Sequence, residues 1–469
     1  MAHLNINKDI LKLAIPSILA NITVPIVGMV DIAVAGHLTG EVATMIGGIA
    51  IGSMLFDLLY WNFGFLRVGT GGLAAQAYGR KDMKECSKIL TRALGISLAF
   101  ALLLIAIQWI FVKAAFLVVD CTPEVRELAS QYFFIRIWAA PATLSLMAFK
   151  GWFIGMQDSV SPMITDFVVN GMNVLMSITL ALGIPAGESW LLRPMGFAGI
   201  AAGTVAAQYS GLLTALALLL AKYARKVFAD FRLSDFKTVF TGSETRRFFV
   251  MNTDLFVRSL CFIAIYIGFT TISAGFGDLL LAVSSIMMKL LMIFSYFTDG
   301  FAYAGEALTG RYIGEKDPHM VKQTVKWTFV WSMGIAFIFM GIYHFAGIPM
   351  LKIMTSDAAV IEQSREYLPW LLLMPIIGCA AFTWDGIYIG ATASKDIRNA
   401  MLWATVAFAF VWAAGRLGLD MLNLDDARQG TERYFVISMH ILMAAYFAHL
   451  LARTLYLSVK YRRTFKLAA

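Results

Sequence analysis

The sequence predicts an all-α integral membrane protein with twelve transmembrane helices in two six-helix lobes related by a parallel duplication. Three observations carry this prediction. The chain is 59% hydrophobic and 14% charged, against about 45–50% and about 25% in soluble domains. So few charges cannot cover the surface of a 469-residue soluble protein, which excludes a cytosolic enzyme, a disordered chain and a fibrous repeat. The second observation is the number of long apolar stretches, and the third is an internal repeat.

A hydrocarbon core of about 30 Å needs about 20 apolar residues per helix. Twelve stretches qualify: 10–35, 43–66, 90–113, 128–154, 161–184, 197–221, 247–273, 279–305, 324–345, 366–390, 397–419 and 434–458. All must be helices, since lipid offers backbone N–H and C=O groups no partner. The first follows the polar stretch Asn5–Asp9 and is longer than a secretory apolar region; with no small-residue cleavage site behind it, it reads as a retained helix. The first six spans make an N-lobe over 1–221, the basic segment 222–246 an inter-lobe loop, and 247–469 a C-lobe with a basic tail.

Loop charge sets the expected orientation. With the N-terminus inside, the cytoplasmic connections gather Arg80, Lys81, Lys84 and Lys88, then Arg225, Lys226, Arg232, Lys237, Arg246 and Arg247. Lys316, Lys322, Lys395 and Arg398 follow, and the tail adds Lys460, Arg462, Arg463 and Lys466. The opposite face holds only Lys113, Arg126, Arg193, Lys352, Arg365, Arg428 and Arg433. The positive-inside rule places both termini in the cytoplasm. The net charge of +8 is then a topology signal and not a nucleic-acid footprint. Cys86, Cys121, Cys261 and Cys379 are scattered, suggesting neither a disulfide scaffold nor a zinc site.

The repeat has one constant offset, the step from Leu73 to Leu308. Leu73–Asp82 (LAAQAYGRKD) aligns with Leu308–Asp317 (LTGRYIGEKD), and Gly151–Gly155 (GWFIG) with Gly386–Gly390 (GIYIG). Six helices per copy is an even number, so both copies keep one orientation. Parallel repeats of this kind are a transporter architecture with substrate bound between the halves. No Gly-Lys dipeptide occurs, which excludes a P-loop, and HExxH and GxSxG are absent. Transport, driven by an ion gradient or passive, is therefore expected rather than enzymatic catalysis, with no cofactor.

A charge at mid-bilayer costs at least about 2.5–3.5 kcal/mol on insertion scales, so charges inside the spans are functional candidates. They are Asp31, Asp57, Arg67, Arg136 and Lys150 in the first half, and Asp254, Arg258, Lys289, Asp299, Glu306 and Asp385 in the second. Arg67, Lys150 and Asp254 lie near span ends and read as positional. Asp31 stands out, because its span holds no basic residue except Lys12. A carboxylate so placed takes up a proton, binds a cation, or is hydrogen-bonded for helix packing alone. Asn170 and Asn173 on span 5 and Thr204 on span 6, amid small residues, can bring amide and hydroxyl oxygens to the same place, or simply hold helices together. Oxygen ligands of this type, at Asp31, Asn173 and Thr204, also suit a hard cation. Pro16 and Pro25 remove hydrogen bonds within span 1 and bend it, as a static kink or as a two-state element.

At these residues the sequence resembles the multidrug and toxic compound extrusion (MATE) family, in its DinF-like branch. In the first half the resemblance rests on IPSILANITVPIVGMVDIAVAGHLTG, FGFLRVGTGGLAAQAYGRKD and IRIWAAPATLSLMAFKGWFIGMQDSVSP. In the second it rests on LFVRSLCFIAIYIGF, FSYFTDGFAYAGEALTGRYIG and WDGIYIGATASKDIRNAM. It implies a V-shaped two-lobed fold and proton- or sodium-driven antiport by alternating access. The family's first-helix aspartate falls on Asp31, its bending proline on Pro16, its fifth-helix NxxxD pattern on Asn173 and Ser177, and its sixth-helix threonine on Thr204. Ser177 departs from the pattern, leaving one acid in the pocket and weakening a sodium site. Arg258, Asp299, Glu306 and Asp385 match branch positions, as structural pairs or as substrate or ion contacts.

The expected function is secondary active efflux of amphipathic, cationic organic compounds in exchange for H+ rather than Na+. A monomer in a bacterial cytoplasmic (inner) membrane is expected, its partners being lipid and small-molecule substrates and not nucleic acid. Aromatic and methionine side chains would line the chamber. Alternatives are export of organic anions, a flippase for lipid-linked precursors, or a non-transporting receptor.

Overall fold

Helices dominate the chain because each closes its own backbone hydrogen bonds, the requirement lipid imposes. The structure, a computed structural model, describes residues 2–38, 41–117, 119, 121–186, 189–227, 239–355, 357–421 and 432–468. Arg232, Lys237 and Arg428 of the charge pattern lie outside the described residues. The helices are α1 (Ala2–Gly36), α2 (Val42–Trp61), α3 (Gly64–Gly79), α4 (Met83–Ala115), α5 (Pro123–Arg136), α6 (Ala140–Gly155), α7 (Val160–Leu182) and α8 (Phe197–Val227). They continue as α9 (Ser243–Ala274), α10 (Asp278–Glu315), α11 (Pro318–Met354), α12 (Ala358–Gly390), α13 (Ser394–Met421) and α14 (Glu432–Ala468). Among the described residues, eleven helical stretches are long and apolar enough to cross a membrane, and α1 covers the first predicted span.

Two predicted spans are composite. The second breaks at Asn62–Phe63 into α2 and α3 and runs on to Gly79. Hydropathy ends it at 66 because glycine, threonine and glutamine follow, yet nearly all of α3 is buried in protein rather than turned to lipid. The fourth passes through a 3-10 turn, Ile137–Ala139, between α5 and α6. Pro141 opens α6 and lacks the N–H that would continue the α-helical ladder to Ile137. Between α7 and α8 the chain forms a small antiparallel hairpin, β1 (Ile184–Ala186) and β2 (Ser189–Leu192), where hydropathy marks only a connection.

The repeat is written into the backbone. The non-glycine residues with positive φ among the described residues are Lys81, Gln157, Lys316 and Thr392. They form two pairs, Lys81 with Lys316 and Gln157 with Thr392, each separated by the repeat offset. Lys81 and Lys316 follow the ends of α3 and α10, and Asp82 and Asp317 then cap the next helix, accepting from the N–H of Glu85 at 2.9 Å and of Met320 at 3.0 Å. The GRKD and GEKD motifs are therefore helix-stop, helix-start signals. GWFIG and GIYIG have a packing role: a Cβ on Gly151 would lie 2.1 Å from the Arg67 carbonyl oxygen, and one on Gly386 2.1 Å from that of Ala302.

The chain divides into two compact units, residues 15–249 and residues 1–14 with 250–469. α1 changes unit between Ala14 and Ile15, beside Pro16. α9 changes unit between Phe249 and Val250, the positions that the repeat makes equivalent to Ala14 and Ile15. In the first unit, Arg92 of α4 donates to the Val239 carbonyl at 2.7 Å and stacks on Phe248, fastening the segment before α9. In the second, Trp331 of α11 donates to Asn7 at 2.8 Å, fastening the start of α1. The core of the second unit is built from α9 to α14, with Phe294, Phe339 and Tyr343 in edge-to-face contact.

Candidate functional site

The first unit gathers its polar groups around Asp31, five residues before the end of α1 and 4% exposed. The Tyr132 hydroxyl of α5 donates to Asp31 Oδ2 at 3.2 Å, and the Ser177 hydroxyl of α7 lies 3.4 Å from Oδ1. Ser177 is also 3.4 Å from the Ile200 carbonyl, so its one proton serves either acceptor. One turn along α7, Asn173 donates to the Thr204 hydroxyl at 2.9 Å, while its own carbonyl oxygen is buried without a partner among the described residues. Gly203 lets α8 approach this closely, a Cβ there falling 2.5 Å from the Ser177 nitrogen. Asn170 donates to Thr23 of α1.

The sequence reading missed Tyr132. It carries no charge, and its only signal is its place one turn before Arg136. Arg136 donates to the Tyr132 hydroxyl at 3.1 Å and lies over the Phe56 ring at 4.8 Å. It also acts through space on Asp31, on Asp57 and on Tyr60. Span 1 itself holds no basic residue except Lys12, and the tertiary fold supplies Arg136 from α5.

The second unit brings Arg258 and Asp385 together, at 2.5 Å, and adds a group that the charge survey left out. Arg453 of α14, 1% exposed in its side chain, shares the same Asp385 oxygen at 2.8 Å and donates to the Ala381 carbonyl at 3.2 Å. An arginine within a predicted span was the available signal. Asp385 Oδ1, Arg258 Nε, and Nε and Nη1 of Arg453 are buried without hydrogen-bond partners among the described residues. Arg453 lies over the rings of Phe262 and Phe382 and Asp299 acts on it through space. Glu306 is fully buried on α10. Lys150 pairs with Asp166 at 2.8 Å, and Asp254 with Arg398 at 2.6 Å and Ser394 at 2.7 Å, so both have structural partners.

The MatE family model matches residues 16–179 and again residues 255–418, one copy in each half. DNA damage-inducible protein F of Escherichia coli is 32% identical over 405 residues, 86% of this chain and 84% of that protein. A probable multidrug resistance protein NorM of Photorhabdus laumondii is 24% identical over 84% of each chain. The crystal structure of the eukaryotic MATE transporter AtDTX14 superposes with a TM-score of 0.81 at 13% identity, covering all of this chain and 99% of its own. The chain therefore belongs to the MatE family of multidrug and toxic compound extrusion transporters, in the branch that resembles DNA damage-inducible protein F.

Proposed function

We propose that this membrane transporter exports amphipathic, cationic organic compounds in exchange for protons, by alternating access, as a monomer in a bacterial inner membrane with both termini cytoplasmic. The observation that carries the reading is the hydroxyl shell of Asp31: Tyr132 and Ser177. A hydroxyl donates to a carboxylate and accepts from a carboxylic acid. The same shell therefore satisfies Asp31 with or without its proton, which suits a site that loads and unloads one. A sodium ion would need further oxygen ligands beside the single acid, and Arg136, one hydroxyl away, already supplies positive charge. The name of the E. coli relative fits a role in a damage response, and that of the NorM relative a multidrug cargo. A second reading, export of organic anions, draws on two guanidinium groups converging on the one carboxylate of Asp385.

The test is flux in proteoliposomes. Ethidium efflux is followed under a pH gradient and under a sodium gradient, for the wild type and for Asp31→Asn. Flux under the pH gradient, lost in the variant, is the expected result. Ethidium flux under neither gradient rejects the reading, and a carboxylated dye in the same vesicles then examines the anionic cargo.

A further inference from the structure

We propose that Arg136 and Tyr132 are the positioning residues of the coupling step: Arg136 is shared between buried Asp31 and exposed Asp57, and trades one for the other as Asp31 gains or loses its proton. The inference rests on the antiport reading above and assigns the proton step its moving cation.

The geometry is a hydrogen-bonded chain between two helices, α1 and α5. Asp31 of α1 accepts from the Tyr132 hydroxyl at 3.2 Å, and that oxygen accepts from Arg136 Nη1 at 3.1 Å. Asp31 is 4% exposed, whereas Asp57 of α2 is exposed and feels the charge of the same guanidinium through space. One cation placed between two carboxylates follows whichever is ionised, and the low dielectric makes that preference strong. With Asp31 ionised, Arg136 is held at Tyr132. Once Asp31 is protonated the attraction to it falls away, and Asp57 becomes the anion that Arg136 faces.

The helices around Arg136 each bring polar groups. α1 contributes Asp31; α2 contributes Asp57, Tyr60 and the Ser53 hydroxyl; α5 contributes Tyr132; α7 contributes Ser177; α6 contributes Thr143 and α8 Tyr209, both acting on Tyr60. Two further features prepare the position of the phenol. Gly52 leaves room for the ring, since a Cβ there would lie 2.6 Å from Tyr132 Cδ1. Phe56 gives the guanidinium a surface to slide along, at 4.8 Å and adjacent in sequence to Asp57.

At the equivalent position of the second repeat, Tyr132 becomes Tyr367, whose hydroxyl donates to the Val436 carbonyl. Arg136 becomes Leu371 and Asp31 becomes Tyr266. The tyrosine belongs to the duplicated skeleton, while the charged residues on either side of it belong to the first half alone.

The test uses the full chain in proteoliposomes and two readouts: pH-gradient-driven ethidium flux as a function of pH, and the infrared band of the protonated carboxyl that Asp31→Asn removes. Arg136→Gln is expected to move the midpoint of both to higher pH by about one unit or more, the size of effect an adjacent opposite charge exerts. Arg136→Lys keeps the charge and is expected to restore the midpoint to near wild type. Tyr132→Phe should move it part of the way in the same direction, and Asp57→Asn should move it to lower pH. Arg136→Gln leaving the midpoint unmoved overturns the proposal; where the glutamine variant does not fold, Tyr132→Phe and Asp57→Asn, each as a single variant, both leaving it unmoved do the same. So does a wild-type band that does not titrate. Absence of gradient-driven flux in the wild type rejects the antiporter reading instead, and the infrared titration still decides the role of Arg136.

Discussion

The two halves share a skeleton and differ in chemistry. What they share, at one constant offset, is turns and close packing: the left-handed Lys81 and Lys316, the caps Asp82 and Asp317, and the contact glycines Gly151 and Gly386. What differs is charge. Asp31, Tyr132 and Arg136 form a hydrogen-bonded chain in the first half, whereas the second half centres on Asp385 between Arg258 and Arg453. The residue aligned with Asp385 is Lys150, of opposite sign and paired with Asp166. Duplicated motifs therefore report how the halves are built, and the copies diverge at their buried charged positions.

That comparison breaks if the shared positions prove unequal. The largest effect is expected from Gly386→Val and Gly151→Val, each forcing a branched side chain against a carbonyl that a Cβ alone would meet at 2.1 Å. Overpacking typically costs about 1–3 kcal/mol, and backbone contact places both at or above the top of that range. Thermal melts in detergent should show matched losses, and a loss confined to one half would refute a common skeleton.

Charge removal sharpens the contrast. Asp385→Asn strands two guanidinium groups, one of them buried, and should destabilise by about 3–5 kcal/mol, as breaking buried pairs does. Asp31→Asn should melt close to the wild type, because its shell is neutral hydroxyls that also satisfy an amide, while gradient-driven flux is lost. If both variants melt alike, the division of labour between the halves is wrong. Smaller still, Asp82→Ala and Asp317→Ala should each cost about 1 kcal/mol, the usual value of a helix N-cap.

The subtlest asymmetry lies at a turn. Asp158 accepts from the N–H and hydroxyl of Ser161 at 3.0 and 2.7 Å, and from Lys222 and Tyr223 at 3.0 Å each. Burial pushes its carboxyl up, but these donors outweigh burial and hold it below the usual carboxylate range. A depressed folded value means the stabilisation is complete above the ordinary aspartate range and is lost as pH falls through the lowered one. Asp158→Asn should therefore flatten the acid limb of the melting temperature against pH. The aligned residue in the second half is Ala393, so no counterpart titrates there.

Much of the fold is legible in the residues themselves. Hydropathy located the spans, and the offset announced the duplication. Span ends were harder wherever small polar residues are buried against protein: α3 extends to Gly79 because hydropathy measures affinity for lipid and cannot see a protein neighbour. Arg453 lay in view as an arginine within a span, whereas nothing in the charge pattern marked Tyr132.

Composition and periodicity by themselves determined a helical membrane protein built twice, because a bilayer demands closed backbone hydrogen bonds and long apolar stretches wherever the chain crosses it. Asp31 as the conspicuous acid was likewise legible, since a charge surrounded by apolar residues has no local explanation. Only the tertiary structure decided its company. Tyr132 is 101 residues from Asp31 along the chain, and Ser177 is 146 residues away. Arg453 and Asp385 meet across 68 residues. Helix packing, permitted at points such as Gly52 and Gly203 where the side chain is absent, sets which distant groups share one buried space. Spacing along a single helix carries no information about that choice.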